Sequence, residues 1–457
     1  MTDARRMNPA AAAWAQTRRT VLGGLAGLGF TAVATGCEEG LLVGFETITF
    51  NHQPNLAVPK ALNLRKNATE TVDVPEWDTS KREPEESPVA YSVLGVAGGP
   101  VTIKVRPIAY WIHSNGTAEP WTGEIVVRAL GGGILGTIDP TGIKFIDGIG
   151  STEIVTLTLS HHGIGSGGVR GVLMEDVEWE WEYREARSQT FIPMGTTAHR
   201  VYVVYRKPRA PWSNTVGSAL NAWTDALDLA CGITGDTGVT DDLDEITNAL
   251  AALFNPGGGN CDETNGSTVN IARLIYDAAT PDPYYSNATT VNLTSFLDRW
   301  RGGDGAGPLV NCSDCAALFS TLANLLGADL WQGHVGIEGI NPVMPIGCGS
   351  WWLPDSGYVA AAGAYGPEGL NFHEVAWKGD VALGNLIWDV CFLVNGLAGA
   401  SPDEPNLTTR IIHYPWGIPF SGAAGELDYR EMLAYPEVNN VANTQPLPIT
   451  KARRTVT

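Results

Sequence analysis

Three residues in the second half of the 457-residue chain have side chains that can act together in nucleophilic catalysis: Cys312, His373 and Asp389. A cysteine thiolate attacks carbonyl carbons, and a histidine can take the thiol proton and later return it to a leaving group. A carboxylate beside the imidazole orients it and stabilises its charged form. This chemistry requires contact between the three side chains. The helix and strands that carry them must therefore bring them together.

Cys312 lies at the predicted start of a helix. Apolar residues recur at helical spacing, as at Leu318 and Leu322, and Gly327 follows the last of them, which predicts a helix over about residues 313–326. The N–H groups and the positive dipole end at a helix N-terminus favour a thiolate over a thiol. The same N–H groups can bind the oxyanion that forms when a carbonyl is attacked.

His373 and Asp389 lie in two runs that read as neighbouring strands, residues 372–377 and 386–392. Glycine, aspartate and asparagine residues between the runs predict a turn. Two strands joined in this way can pair, so His373 and Asp389 are expected to be cross-strand neighbours. The predicted site therefore combines a helix start with two adjacent strands.

These motifs resemble those of the transglutaminase-like superfamily. The resemblance rests on the Cys-x-Asp-x-Ala segment from Cys312, the leucine-rich helix that ends in Leu-Gly, His373 with a tryptophan shortly after it, and the Trp-Asp pair that ends at Asp389. It implies a papain-like α+β domain with Cys312 as nucleophile, His373 as base and Asp389 as orienting carboxylate. No cofactor and no metal ion are expected.

The expected reaction is acyl transfer on a protein or peptide substrate. Cys312 attacks an amide or peptide bond and forms a thioester, which water then hydrolyses. Two alternatives remain open. An amine could resolve the thioester, which would make the protein a crosslinking transglutaminase. The cysteine domain could instead be inert, within a surface-anchored binding protein.

Two cysteines near the helix start also permit other chemistry. Asn311 and Cys315 depart from the superfamily pattern, which has a small residue and an aromatic residue at these places. Cys312 and Cys315 could form half of a zinc site, completed by Cys391 or His373, or a thioredoxin-like redox pair. A buried cysteine without any reactivity is a further interpretation.

A second histidine and an acidic run offer additional candidates. His334 follows the predicted helix closely and is a spare candidate for the base, although a structural role is the simpler interpretation. The acidic residues within 241–245 could bind calcium. A solvated first helical turn explains them more simply, because acidic side chains favour that position.

The first half of the chain has the alternation of apolar and polar residues that is typical of strands. It is clearest in residues 101–105, 155–159, 177–183 and 201–205, which glycine-rich and Asp-Pro breaks separate. The pattern predicts an all-β sandwich. The aromatic stripe within residues 177–183 is predicted to be core, with a ligand platform as the alternative.

The periodicity divides the chain into predicted segments. It changes from strand-like to helix-like near residue 208, so a fragment starting near Pro211 is expected to fold alone. The segments are an export signal (1–36), an N-terminal arm and linker (37–95), a β-sandwich domain (96–207), a transglutaminase-like cysteine domain (208–435) and a polar tail (436–457).

The N-terminus reads as the export signal of a bacterial lipoprotein. Arg18 and Arg19 resemble a twin-arginine signal, and the apolar segment after them, residues 21–34, is short for a permanent membrane span. Cys37 follows Ala-Thr-Gly, which resembles a lipoprotein processing site. The expected location is the membrane surface facing the periplasm or the cell exterior, with Cys37 lipidated. An ordinary secretory signal is the alternative.

Charge and cysteine content set two further expectations. The net charge of −20 disfavours nucleic-acid binding, which needs a basic surface against phosphate. Export permits disulfides. Of the seven cysteines, Cys37 and Cys312 are assigned to lipid and catalysis, which leaves an odd number and predicts at least one free thiol.

Overall fold

The computed structural model describes most of the chain beyond residue 38. The described residues are 39–52, 61–96, 100–165, 168–212, 220–232, 241–254, 274–276, 282–302, 309–336, 343–346, 372–379, 384–395, 412–413, 417–421, 428–430, 445–446 and 452–457. The predicted export and lipidation residues Arg18, Arg19 and Cys37 lie outside this part of the chain.

Strands dominate the first half of the described chain. In chain order they are β1 (Gly40–Thr49), β2 (Leu64–Arg65), β3 (Trp77–Asp78), β4 (Pro88–Ser92), β5 (Thr102–Ile112), β6 (Ala118–Pro120), β7 (Gly123–Gly131), β8 (Thr137–Ile146), β9 (Ile149–Gly150), β10 (Val155–Ser160), β11 (Leu173–Glu185) and β12 (Ile192–Val204). A one-turn helix α1 (Val93–Val96) and two 3-10 turns (Pro84–Glu86 and Gly133–Leu135) interrupt them.

All of these strands except β2 belong to one large sheet. Its order is β3-β1-β5-β10-β8-β7-β11-β12-β4, with β6 beside β5 and β9 beside both β5 and β8. Neighbours are antiparallel except β12 and β4, which run parallel. The first half of the described chain is therefore rich in β-structure and built around one large sheet.

The aromatic stripe of β11 belongs to the core, as predicted. Within residues 177–183 the apolar side chains are buried and alternate with charged ones. Trp179 donates its indole N–H to the carbonyl of Gly136 at 2.8 Å, and Trp181 donates to the hydroxyl of Thr197 at 3.0 Å. The polar atoms of both indoles are thus satisfied inside the core, as buried tryptophans require.

The large sheet wraps around its own core, which differs from the two separate sheets of the predicted sandwich. Phe45 on β1 meets the edge of Trp181 on β11 with ring centroids 4.7 Å apart, although several strands separate β1 from β11 in the sheet. The Tyr183 hydroxyl donates to the carbonyl of Leu41 at 2.7 Å. Opposite parts of one sheet therefore pack face to face. Alternation along a strand identifies the buried face but does not identify the hydrogen-bonded neighbours.

Part of the predicted N-terminal arm and linker, residues 37–95, lies within this sheet. β1 pairs with β5 along its whole length apart from one bulge, and β4 pairs with β12 at the sheet edge. β1 reads Gly-Leu-Leu-Val-Gly-Phe at its start, so apolar and small residues follow one another. The period of two is hidden there, which explains why the sequence did not reveal the strand.

The second half combines helices with short strands. The helices are α2 (Thr224–Gly232), α3 (Leu243–Phe254), α4 (Leu293–Trp300) and α5 (Cys312–Leu325). The strands are β13 (Ala222–Trp223), β14 (Ile275–Tyr276), β15 (Thr290–Val291), β16 (Leu309–Val310), β17 (Leu330–Gly336), β18 (Val343–Pro345), β19 (His373–Lys378), β20 (Leu386–Trp388), β21 (Phe392–Asn395), β22 (Ile412–His413), β23 (Ile418–Pro419), β24 (Gln445–Pro446) and β25 (Thr455–Val456).

A five-stranded antiparallel sheet and the helix α5 form the centre of this half. The sheet has the order β23-β20-β19-β17-β24, and α5 packs against β19 and β17. All 14 residues of α5 are buried. Within the described ranges, no helix combines the length and the apolar character that crossing a bilayer demands.

The segment near residue 208, where the periodicity changes, is bound to α5. The side-chain amide of Asn324 donates to the carbonyl of Ala210 at 2.9 Å, and the indole N–H of Trp212 donates to the carbonyl of Thr321 at 2.7 Å. Trp212 itself is buried. This connection is therefore part of the packed interior.

The strand β12 contributes side chains to two hydrophobic cores. On β12, Val201 and Val203 belong to the core enclosed by the large sheet, whereas Tyr202 and Val204 belong to the core formed with the helices. Successive side chains of a strand point to opposite faces, so β12 separates the two cores and contributes to both. This arrangement differs from the expectation that a fragment from Pro211 carries a complete core.

The end of the predicted polar tail is anchored. β25 pairs in parallel with β15, and Ala452 exchanges two backbone hydrogen bonds with Gln332. Arg454 is buried. Residues 452–457 therefore differ from the loose tail predicted for 436–457, most of which lies outside the described residues.

Candidate active site

Cys312 is the first residue of α5, and the local sequence explains why the helix begins there. The side-chain oxygen of Asn311 accepts from the N–H of Asp314 at 3.1 Å, and the Asp314 carboxylate accepts from the N–H of Asn311 at 3.3 Å. This capping box fixes the first turn. The N–H groups of Cys312 and Ser313 then have no preceding helical carbonyl to donate to. They lie at the end of the helix that attracts anions.

Asp314 also ties a neighbouring loop to the helix start. Its carboxylate accepts from the backbone N–H groups of Tyr284 at 2.8 Å, Tyr285 at 2.8 Å and Ser286 at 2.9 Å. Burial raises the pKa of this carboxyl, and the N–H donors oppose that effect. The position of Cys312 therefore depends on a buried carboxyl group two residues further along the chain.

The strands β19 and β20 bring His373 and Asp389 into contact. β19 opens with His373, and Asp389 follows the last residue of β20. The register pairs Ala376 with Trp388, so Asp389 lies diagonally across from His373. Oδ2 of Asp389 is 2.9 Å from Nε2 of His373.

Because Asp389 engages Nε2 of His373, Nδ1 is the imidazole nitrogen that remains for Cys312. The Cys312 thiol is within hydrogen-bonding range of His373, and Nε2 is already engaged by Asp389. Nδ1 of His373 is buried, and among the described residues it has no partner at full hydrogen-bond geometry. This nitrogen is therefore available to receive the thiol proton.

The surroundings of His373 favour the charged imidazole. Burial disfavours the imidazolium, but the Asp389 carboxylate and then the Cys312 thiol outweigh it and raise the pKa of His373 to about 10. The ring of Phe392 stacks on the imidazole with centroids 4.4 Å apart. Both His373 and Cys312 are buried, with 0% and 7% of their surface exposed, so the pair lies in an interior largely shielded from water.

Asp389 has further partners that the sequence did not indicate. Its Oδ1 accepts from the N–H groups of Cys391 and Phe392, both at 3.0 Å. The hydroxyl of Tyr429 donates to Oδ2 at 2.6 Å. Tyr429 comes from a segment without a recognisable motif, so no local pattern could have revealed it.

A buried cluster of charged residues lies beside the site. Glu374 accepts from Nη1 of Arg454 at 2.5 Å and contacts Nε2 of His334 at 3.2 Å. Its carboxylate also hydrogen-bonds the Ser313 side chain next to Cys312. Burial acts to raise the pKa of Glu374, but these partners outweigh it, so the pKa is lowered. His334 is thus held in an ion-pair cluster, which fits the structural role considered for it.

The other cysteines and the acidic run give no metal site in the part of the chain that the structure describes. Within that part, no three His, Cys, Asp or Glu side chains are arranged as metal ligands. Cys315 and Cys391 hydrogen-bond each other, and Asp244 of the acidic run binds the ammonium group of Lys378 at 2.6 Å. Among the described residues, none of the cysteines is in a disulfide: Cys231, Cys312, Cys315 and Cys391.

Comparison with known proteins finds a likeness at the level of structure and none at the level of sequence. No family profile matches the sequence, and no curated protein is similar to it at a significant level. Among solved structures, the chain is similar to the transglutaminase of red sea bream, with a TM-score of 0.36 and 11% sequence identity. The likeness covers 77% of this chain and 53% of the other, so the chain spans about half the length of that protein. A likeness at this level does not define a family.

Proposed function

We propose that the protein is a transglutaminase-like cysteine enzyme that hydrolyses an amide or peptide bond of a protein or peptide substrate through a thioester on Cys312. The observation that supports this most directly is that the two imidazole nitrogens of His373 have different environments. Asp389 holds Nε2, which leaves Nδ1 as the nitrogen that can serve the interacting Cys312 thiol. A buried imidazole oriented in this way is the arrangement of a general base that serves a nucleophile.

The proposed reaction has an acylation step and a hydrolysis step, and Sγ of Cys312 and Nδ1 of His373 take part in both. Sγ of Cys312 bonds to the carbonyl carbon, and the thiol proton moves to Nδ1 of His373. The oxyanion forms beside the N–H groups at the start of α5. The C–N bond then breaks, and the leaving amine takes the proton from Nδ1. Water next attacks the thioester while His373 takes its proton, and that proton returns to the sulfur as the carboxylic acid leaves.

The proposed architecture is an all-β unit followed by an α+β papain-like domain of transglutaminase type. Its support is the relation between one buried helix and one antiparallel sheet. α5 carries Cys312 at its N-terminus and packs on β19, which carries His373, while Asp389 follows the neighbouring strand β20.

A peptide assay in isotopically labelled water tests this function. When the wild-type protein acts on a glutamine-bearing peptide in H₂¹⁸O, we expect the peptide to release ammonia and gain one ¹⁸O atom. With the Cys312→Ala variant we expect neither change in the peptide. Cys231→Ala removes another buried thiol that is not in a disulfide and is the matched control, which should stay active. A labelled primary amine in the mixture separates the alternatives, because its incorporation would indicate crosslinking instead of hydrolysis. Absence of any product, together with an unreactive Cys312 thiol, would support the inert binding protein.

We also propose that the protein is exported and anchored by a lipid on Cys37. The paired residues Arg18 and Arg19, the short apolar segment and the Ala-Thr-Gly-Cys ending support this. Replacing both arginines with lysine should strand the protein in the cytoplasm. Cys37→Ala should abolish incorporation of a labelled fatty acid, and continued labelling of that variant would contradict the proposal.

A further inference from the structure

The Asp389 carboxylate is held from two directions. Its Oδ1 is bound by backbone N–H groups of its own loop, those of Cys391 and Phe392. Its Oδ2 is shared between Nε2 of His373 at 2.9 Å and the hydroxyl of Tyr429 at 2.6 Å. Tyr429 is 1% exposed and comes from 40 residues further along the chain. The oxygen that contacts the histidine thus has a second donor.

A second donor on this oxygen has two electrostatic consequences. It stabilises the ionised carboxylate in an interior where Asp389 is largely shielded from water. It also takes up part of the negative charge that would otherwise attract the imidazolium proton. Because Tyr429 and His373 both donate to Oδ2 of Asp389, they compete for the lone pairs of that oxygen. Burial strengthens both interactions and therefore this competition.

We propose that Tyr429 is a positioning residue of this site, whose hydroxyl holds Asp389 in its ionised form and limits how tightly Asp389 binds the proton of His373. The inference rests on the function proposed above and assigns a role to a residue outside the three sequence motifs. Tyr429 contacts Asp389 and acts on the nucleophile only through Asp389 and His373.

Other titratable groups lie near Tyr429 and could also affect the titration of His373. Those around Tyr429 are Asp389, Cys391 and Cys312, with His373 beyond Asp389 and Cys315 beside Cys391. Burial, followed by the Asp389 charge, raises the pKa of Tyr429 well above its usual value. Burial also raises the pKa of the two structural thiols. Burial thus shifts the pKa of all three groups in the direction that favours their protonated forms.

The test is the titration midpoint of His373 in the full-length protein. Labelling the Cε1 position of all histidines with ¹³C gives one NMR signal for each of the eight, and His373→Gln identifies the signal of interest. In Tyr429→Phe the carboxylate loses one donor, so we expect the midpoint to rise by about one pH unit, the size typical of a lost hydrogen bond to a buried charge. An unchanged or lowered midpoint in folded Tyr429→Phe would overturn the proposal.

Two further variants keep the test decisive. Tyr91→Phe removes another buried hydroxyl, one without a partner among the described residues, and should leave the His373 midpoint unchanged. If it shifts the midpoint equally, the effect is general and the proposal fails. Placing 3-fluorotyrosine at position 429 gives a stronger donor, so the midpoint should fall. This variant decides the matter if Tyr429→Phe does not fold, and an unchanged midpoint would count against the proposal.

A separate measurement reports on the proposed function. Iodoacetamide should modify Cys312 faster than Cys231 at neutral pH in the wild-type protein. If it does not, Cys312 is not an activated nucleophile and the enzymatic proposal fails. The titration of His373 still reports on Tyr429 in that case, so the two failures are distinguishable.

Discussion

At the scale of single residues, three side chains have distinct tasks in the proposed reaction. Cys312 makes the covalent bond, His373 transfers the proton through Nδ1, and Asp389 orients the imidazole from the other side. The tasks differ in how far another group can replace them. A series of substitutions should therefore produce graded losses.

We expect Cys312→Ala to abolish turnover, because no other group forms the thioester. His373→Ala should lower turnover by about 10²–10⁴-fold, the usual contribution of a general acid–base residue. Asp389→Asn should retain more activity than His373→Ala, because an amide can still hydrogen-bond the imidazole. Cys315→Ala is the control and should remain active. Rates of product release for the variants check this order, and loss of activity only in Cys315→Ala would overturn the assignment of the nucleophile.

The raised pKa of His373 also predicts a pH dependence. The folded-state pKa is about 10, above the ordinary value for an unfolded histidine. Its contribution to stability is therefore complete below about pH 6.5 and is lost as the pH rises through the folded-state value. Turnover should fall over the same alkaline range, because the leaving amine loses its proton donor. Urea unfolding and turnover measured between pH 6 and pH 11 check this, with His373→Ala as the control that lacks the stability change.

The sequence predicted the meeting of Cys312, His373 and Asp389, and the structure brings the three together. Their catalytic roles stay predictions. Each of them lies in a local pattern, either a capped helix start or a strand bounded by turn residues. Tyr429 and Arg454 reach the same place from distant segments. Such contacts depend on how the chain folds in space, so no spacing along the sequence reveals them.

At the scale of elements, the start of α5 is the feature on which the site depends. The capping box of Asn311 and Asp314 makes the first turn, and the same Asp314 carboxylate binds the loop at Tyr284–Ser286. The predicted helix, residues 313–326, differs from the observed one by a single residue at each end because caps and apolar spacing are local. The wrapping of the large sheet was not predicted because strand pairing is not local.

We expect Asp314→Asn to destabilise the fold by about 2–4 kcal/mol, because the amide nitrogen would face N–H groups that need an acceptor. Alkylation of Cys312 should slow in the same variant. The matched control is Asn292→Ala, which removes the cap of α4 and should cost only about 1 kcal/mol without affecting Cys312. Urea unfolding with thiol kinetics measures both effects. A change in stability with unaltered Cys312 reactivity would mean that the loop does not position the nucleophile.

At the scale of the whole molecule, a distant segment stabilises the strand that carries the histidine. Arg454 binds Glu374 through two nitrogens, at 2.5 Å and 3.1 Å, and both residues are buried. Arg454→Ala should destabilise the protein by about 3–5 kcal/mol, since it removes the guanidinium that binds both oxygens of a buried carboxylate. Lys66→Ala breaks an exposed pair with Glu70 and should change little. Chemical denaturation compares the two, and a small effect of Arg454→Ala would show that water reaches Glu374.

The shared strand β12 predicts that the two halves unfold together. A fragment starting at Pro211 lacks Tyr202 and Val204, which fill the core around the helices. We expect this fragment to lack a cooperative thermal transition, whereas the full chain should unfold in a single transition. Near-ultraviolet circular dichroism measured against temperature checks both expectations. Sharp melting of the fragment would instead support the independent domain that the periodicity predicted.

The two faces of β12 also limit how this protein can exchange parts with others. Recombination between homologous genes preserves function when the crossover falls where few contacts are broken. A crossover after Lys207 would join one parent's β12 to the other parent's helices, and Tyr202 and Val204 would meet side chains with which they had never been selected to pack. The point where the periodicity changes is therefore a poor place to build chimeras, and the two halves are expected to be inherited as one unit.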